Sequence, residues 1–133
     1  MELTSSAGGK RVLVAEDEAL ISVILSGDLR DEGYVVAGPF SHCGDALTWL
    51  ADDTPDVAIV DYMLRDGPCT MLVRTLRERG VPFVIFSGYA RGPETHSEFL
   101  DAPWFDKPAS LDDLLAALAD LSTRITAAAP TRK

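Results

Sequence analysis

The chain has 133 residues, 47% of them hydrophobic, with a formal net charge of −9 at pH 7 and a sequence pI near 4.5. That length fits one domain around one core, and the acidic balance argues against a nucleic-acid or anionic-membrane surface, because both need clustered Lys and Arg against phosphates. MELTSSAGGK lacks the charged start and apolar run of a secretory signal, and no apolar stretch reaches membrane-spanning length, so a cytoplasmic protein is expected.

Residues before Lys10 read as a loose tail. Arg11–Ala15 is the first strand candidate, and it runs straight into the acids Glu16, Asp17 and Glu18. Ile21, Ile24, Leu25 and Leu29 then recur at helical spacing and give a helix one buried stripe. Gly33 precedes a second strand, Tyr34–Ala37, which Gly38-Pro39 is expected to end. Cys43, Ala46, Leu47 and Leu50 form the next helical stripe, closed by Thr54-Pro55. Val57–Val60 is apolar at every position, which suits a central parallel strand covered on both faces, and it ends at Asp61.

Cys69, Leu72, Val73 and Leu76 supply a third stripe, ended by Gly80. The two cysteines, Cys43 and Cys69, lack CxxC or CxxH spacing and are expected to be reduced, structural thiols. Phe83–Phe86 is the fourth strand and ends at Ser87. Arg91–Asp101 opens on a Gly-Pro break and holds only two large apolar residues, so a short, weakly anchored helix is expected. Trp104–Phe105 is a short last strand before Lys107. Ser110, with Asp112 and Asp113 behind it, caps a helix carrying Leu111, Leu114, Leu115, Leu118, Leu121 and Ile125 on one face; Ala116, Ala117 and Ala119 beside it offer a candidate homodimer face. The folded body is thus 10–127, with 1–9 and 128–133 as flexible tails.

Five strands alternating with helical segments indicate a doubly wound α/β fold, in which ligands bind outside the carboxyl ends of the strands. Glu16 and Asp17, Asp61, Ser87 and Lys107 all fall at such ends. Clustered carboxylates repel and take up protons unless a cation is present, and Mg²⁺ prefers oxygen ligands from one or two carboxylates plus a phosphoryl oxygen. A hydroxyl from Ser87 and an ammonium from Lys107 would add little to a pure metal site but suit the equatorial oxygens of a phosphoryl group. Asp61, between them, is the best-placed carboxylate to accept phosphate as an acyl phosphate.

From about Lys10 to Ala119 the chain resembles the receiver domains of bacterial two-component response regulators: the acids of VAEDE, the Asp of IVDYMLRDG, the hydroxyl of FSGYA and the Lys-Pro of FDKPAS appear in that order. The resemblance implies a flavodoxin-like (βα)5 fold with a five-stranded parallel sheet in the order 2-1-3-4-5. It also implies that Asp61 is the phosphoacceptor, that Asp17, Glu16 (mainly through water), Asp61 and the carbonyl of Met63 hold Mg²⁺, and that Ser87 and Lys107 hold the phosphoryl oxygens. The donor would be a phosphohistidine on a sensor histidine kinase or histidine phosphotransfer protein. The domain would catalyse only its own phosphotransfer and slow dephosphorylation, not a reaction on a separate substrate. With no output domain after it in this sequence, it is expected to signal as a single domain through protein contacts, on a surface near residues 91–121.

Several positions depart from the family pattern. Arg65 stands four residues after Asp61 where Pro is usual, and Trp104 occupies the place of a Tyr or Phe that commonly moves with the hydroxyl residue Ser87 as a switch. Met63, Arg65, Gly88 and Tyr89 are candidate modulators, with Gly88 leaving the site open and Tyr89 able to cover it. VIFSGYA resembles the FAT GUY subgroup, although Phe86 stands directly before the hydroxyl residue. Three alternatives remain at this level: a non-phosphorylated scaffold of the same fold, a phosphate sink in a phosphorelay, and an aspartyl-phosphate hydrolase. The hydrolase would want a second Asp where Met63 stands.

Overall fold

The computed structural model describes residues 9–88, 99, 102–107 and 111–128, and of 122–128 only the backbone. In chain order its elements are β1 (Arg11–Ala15), α1 (Ala19–Asp31), β2 (Val35–Phe40), α2 (Cys43–Asp52), β3 (Val57–Val60), β4 (Met63–Leu64), β5 (Gly67–Pro68), α3 (Thr70–Glu78), β6 (Phe83–Ser87), β7 (Trp104–Asp106) and α4 (Leu111–Ala128). The main sheet has the order β2-β1-β3-β6-β7, and every pairing in it is parallel. Counting only its own five strands, that is the 2-1-3-4-5 order of a doubly wound sheet. β4 and β5 form a small antiparallel hairpin outside it.

Because successive strand residues point to opposite faces, each central strand feeds two cores. Leu13, Ala15, Ala58 and Val60 pack with Cys43, Ala46 and Leu50 of α2 and with Leu72, Val73 and Leu76 of α3. On the other face Val12, Val14, Val57 and Ile59 pack with Leu25 and Leu29 of α1 and Leu114 and Leu118 of α4. The unbroken apolar run of β3 is explained by this double burial. Ile125, Ser110, Tyr89 and most of Arg91–Asp101 lie outside the residues whose side chains are described. From that last segment Phe99 is fully buried, with its ring edge-on to Tyr62 at 4.8 Å.

Three expectations need correction. β2 does not stop at Ala37 but continues through Gly38 and Pro39 to Phe40, with its register against β1 shifting between Leu13 and Ala15. Gly38 makes the shift possible: its φ is +105°, and a Cβ there would lie 2.7 Å from the Val14 carbonyl oxygen and 2.9 Å from the Phe40 nitrogen. Pro39 is tolerated because β2 is an edge strand. The extension lets the Phe40 carbonyl accept the Glu16 N–H at 2.9 Å, which ties the acidic turn to the sheet.

The stripe expected on α1 is met at Leu25 and Leu29, with Ile21 packed against the same cluster, but not at Ile24. Ser22, Leu25, Ser26 and Leu29 face the sheet, whereas Ile24 is 44% exposed and Leu20 and Val23 are exposed at 72% and 70%. Two of the inward positions are serines, which a stripe counted only from large apolar residues does not anticipate.

Finally, Cys43 and Cys69 are joined as a disulfide, with Cα atoms 5.7 Å apart, and are not separate reduced thiols. Their separation of 26 positions hides the pairing in the sequence. It arises because α2 and α3 pack on the same face of the sheet, which brings the first residue of α2 beside the residue preceding α3.

Candidate functional site

Parallel strand order sets the site. β1 and β3 are hydrogen-bonded neighbours, and the Asp61 N–H donates to the Ala15 carbonyl at 2.9 Å, so the residues following these two strands emerge side by side. β6 and β7 continue the same edge: the Lys107 N–H donates to the Ser87 carbonyl at 2.8 Å. The fold therefore gathers Glu16, Asp17, Asp61, Ser87 and Lys107, although the first and last are 91 positions apart.

Lys107 is the centre of the electrostatics. Its Nζ donates to Glu16 Oε2 and to Asp61 Oδ2, each at 2.9 Å, and lies 3.7 Å from Glu18 Oε1. Its side chain is 9% exposed, and those of Glu16 and Asp61 are 2% and 5% exposed. The face of the Phe86 ring lies 5.4 Å from the ammonium. Burial pushes the Glu16 and Asp61 carboxyls above the usual carboxylate range, and the hydrogen bonds from Lys107 only partly oppose it. Burial alone would lower the Lys107 ammonium, but its bonds to Glu16 and Asp61 outweigh this and raise it.

Glu16, Asp17 and Asp61 can each place a carboxylate oxygen within 4.8 Å of the others. One ammonium beside three carboxylates leaves the cluster negative, and both buried acids are held in an environment that disfavours their charge. That donor set fits a hard divalent cation with oxygen ligands. The local backbone supports it: the Glu18 N–H donates to Glu16 Oε2 at 3.0 Å, the Met63 N–H to Asp61 Oδ1 at 3.3 Å, and the Ser22 hydroxyl to the Glu16 carbonyl at 3.1 Å.

The remaining candidates are placed as follows. Ser87 is fully buried at the end of β6, and Gly88 lines a cleft with Glu18, Ile21, Ile24, Phe86, Lys107 and Leu111. Arg65 is exposed and its guanidinium reaches back to the Asp17 carbonyl at 3.5 Å. Trp104 is half-buried; its indole N–H donates to Asp106 Oδ1 at 2.9 Å and its ring lies 5.8 Å from that of Tyr62, the residue after Asp61. Tyr89 is outside the described residues.

Two contributors were not singled out in the sequence. Glu18 looks like a helix cap but makes no side-chain cap bond, and it faces Lys107 instead. Asp66 takes over a capping task for a distant helix: its carboxylate accepts from the Cys43 N–H at 2.7 Å and the Gly44 N–H at 3.0 Å. Only its position in the loop after Asp61 hints at this.

Comparison with known proteins agrees with this geometry. The family model described as response regulator receiver domain matches residues 12–119. The transcriptional regulatory protein PdtaR of Mycobacterium tuberculosis is 31% identical over 113 residues, covering 82% of this chain and 55% of PdtaR, so the chain spans about half the length of that relative. The solution structure of SdrG from Sphingomonas melonis Fr1 is similar at a TM-score of 0.70 and 31% identity, covering 89% of this chain and 98% of that one. A CheY-like receiver domain protein from Methanospirillum hungatei JF-1 shares the fold at a TM-score of 0.78 and 24% identity, over 87% of this chain and 95% of that one.

Proposed function

The chain belongs to the response regulator receiver family, and from that premise we propose that it accepts a phosphoryl group on Asp61 from the phosphohistidine of a sensor histidine kinase or histidine phosphotransfer protein. The observation that carries the proposal is Lys107 bridging two buried carboxylates, Glu16 and Asp61, at 2.9 Å each, beside Asp17 at the open end of the sheet. A structural ion pair would not need the third acid.

In the transfer, a carboxylate oxygen of Asp61 attacks phosphorus as the phosphorus–nitrogen bond to the donor imidazole breaks, and the imidazole leaves with that electron pair. Glu16, Asp17, Asp61 and the main-chain carbonyl of Met63 would hold Mg²⁺, which supplies positive charge to the phosphoryl oxygens. Lys107 exchanges one carboxylate partner for a phosphoryl oxygen, and the Ser87 hydroxyl donates to another. This is a self-modification, and the domain turns over no separate substrate.

The donor's approach is supported by α1. Leu20 and Val23 are exposed and Ile24 is half-exposed, and Ile24 also lines the cleft that leads to Lys107. An apolar helix face beside the reacting groups suits docking of a helical donor protein. Output runs through protein contacts near residues 91–121, in a cytoplasmic setting. No described helix is long and apolar enough to cross a membrane.

The test is intact-protein mass after incubation with acetyl phosphate, with and without Mg²⁺, alongside Asp61→Asn. The proposal expects a Mg²⁺-dependent gain of one phosphoryl group that the variant lacks. Absence of that gain from acetyl phosphate and from a panel of phosphorylated histidine kinases would favour a fixed scaffold.

A further inference from the structure

The sulfur pair lies one loop away from Asp61. Asp61 is followed by Tyr62, then by the β4–β5 hairpin over Met63–Pro68, then by Cys69. The Cys69 N–H donates to the Tyr62 carbonyl at 3.0 Å, closing 62–69 into a loop whose base adjoins Asp61, the candidate phosphoacceptor. Its outer side is tied to the start of α2 by the Asp66 carboxylate on the Cys43 and Gly44 N–H groups, and by the Arg65 N–H on the Ser41 carbonyl at 3.2 Å. The Cys43–Cys69 bond adds a covalent tie between the same two pieces of chain.

We propose that Cys43 and Cys69 form a reversible thiol–disulfide modification site, and that its oxidation state sets how tightly the loop carrying Met63 is fastened to α2 beside Asp61. The ties around the sulfur pair do not depend on it. The Cys43 sulfur lies 3.7 Å from the Gly67 carbonyl oxygen, an acceptor within reach of a thiol proton once the bond is reduced, and the Asp66 and Arg65 hydrogen bonds join the loop to the start of α2 independently of the sulfurs. Reduction would therefore remove one of several ties rather than the whole attachment.

Access is one-sided. Cys43 retains 8% exposure as a residue and Cys69 none, so Cys43 is taken as the side an external reagent approaches. With hydrogen peroxide as oxidant, the Cys43 thiolate attacks one oxygen and the O–O bond breaks, leaving a sulfenic acid and hydroxide. The Cys69 sulfur then attacks the Cys43 sulfur; the S–S bond forms, the S–O bond breaks, and the departing hydroxide takes the Cys69 proton as water. Two thiols are oxidised and one peroxide is reduced to two waters. In the reverse direction, an external dithiol attacks the disulfide at Cys43, releases Cys69 as a thiol, and leaves as its own disulfide.

The experiment uses the full chain at neutral pH, poised with dithiothreitol or with stoichiometric hydrogen peroxide. Alkylatable thiols are counted by mass, and amide hydrogen exchange is read across 62–69. The expected result is two alkylatable cysteines in the reduced protein and none in the oxidised one. Exchange at Leu64 and Arg65 should be at least about tenfold slower when oxidised. Cys43→Ser, and independently Cys69→Ser, should show the faster exchange under both conditions. The proposal is overturned if peroxide leaves both thiols alkylatable, if dithiothreitol cannot release them from folded protein, or if exchange across 62–69 is the same in both states. None of these readouts passes through phosphate, so failure here is distinct from failure of Asp61 to be phosphorylated.

Discussion

Lys107 Nζ lies 2.9 Å from Asp61 Oδ2, between side chains that are 9% and 5% exposed. The contact exists because β3 and β7, on either side of β6, end at the same edge of one parallel sheet. This one ammonium is shared by two buried acids, and its removal takes the hydrogen-bonded cation from both.

Lys107→Met should therefore destabilise the metal-free protein at neutral pH by about 3–5 kcal/mol, the usual cost of removing one partner from a buried ion pair. Part of the loss should return when Mg²⁺ is added, because the cation takes over the neutralisation. Urea unfolding with and without Mg²⁺ measures both effects. A variant as stable as the parent would show that the carboxylates are already neutral.

The Asp61 carboxyl is raised above its ordinary range, chiefly by burial. In the metal-free protein the folded state then keeps a proton that the unfolded chain has released, so stability falls as pH climbs from the ordinary aspartate range through the raised value. Asp61→Asn removes that loss. Its melting temperature should exceed the parent's at pH 7, and the advantage should vanish below about pH 3, where aspartate is protonated in both states. Lys107 adds nothing to this window: its raised value keeps its contribution intact until pH passes the ordinary lysine range. A thermal melt series in a chelating buffer decides it.

Gly38→Ala tests the bulge that seats the acidic turn. The left-handed backbone and the 2.7 Å approach to the Val14 carbonyl should together cost at least about 1–3 kcal/mol. Because the bulge also lets Phe40 hold the Glu16 N–H, Mg²⁺ affinity should fall with stability. Calorimetric titration with Mg²⁺ well below the melting temperature would show this, and an unchanged affinity would separate the bulge from the site.

Asp66→Ala removes the carboxylate that caps α2. The backbone N–H bonds from Gly44 and Cys43 overcome the effect of desolvation and hold this carboxyl below its usual range, so the cap is present above the ordinary aspartate range and is lost as pH falls through the lowered value. The substitution should cost about 1 kcal/mol at pH 7, typical of a lost helix cap. The gap between the denaturant midpoints of parent and variant should be full at pH 7 and should narrow as pH falls below the ordinary aspartate range.

Leu20→Glu with Val23→Glu tests α1 as the donor-docking face. Phosphotransfer from a phosphorylated kinase should fall by about tenfold or more, the effect of losing roughly 1.4 kcal/mol of docking. Single-turnover transfer assays would show the change, and an undiminished rate would move docking to another surface.

The sheet and the gathering of the polar residues were legible because both depend on local signals. Val57–Val60 is apolar on every residue, which only double coverage explains, and a parallel sheet obliges the residues after its strands to meet at one edge. Glu16, Asp17, Asp61, Ser87 and Lys107 could thus be assembled from chain order alone. What required tertiary structure was every relationship without a period. The exposure of Ile24 depends on α1 turning Ser22 and Ser26 inward, the course of β2 on whether Gly38 can pass the Val14 carbonyl, and the Cys43–Cys69 bond and the Asp66 cap on where two helix starts meet. Periodicity reports which face of an element is apolar. Which atoms then touch is decided by packing between elements distant in the chain, and these contacts leave no spacing for a sequence to display.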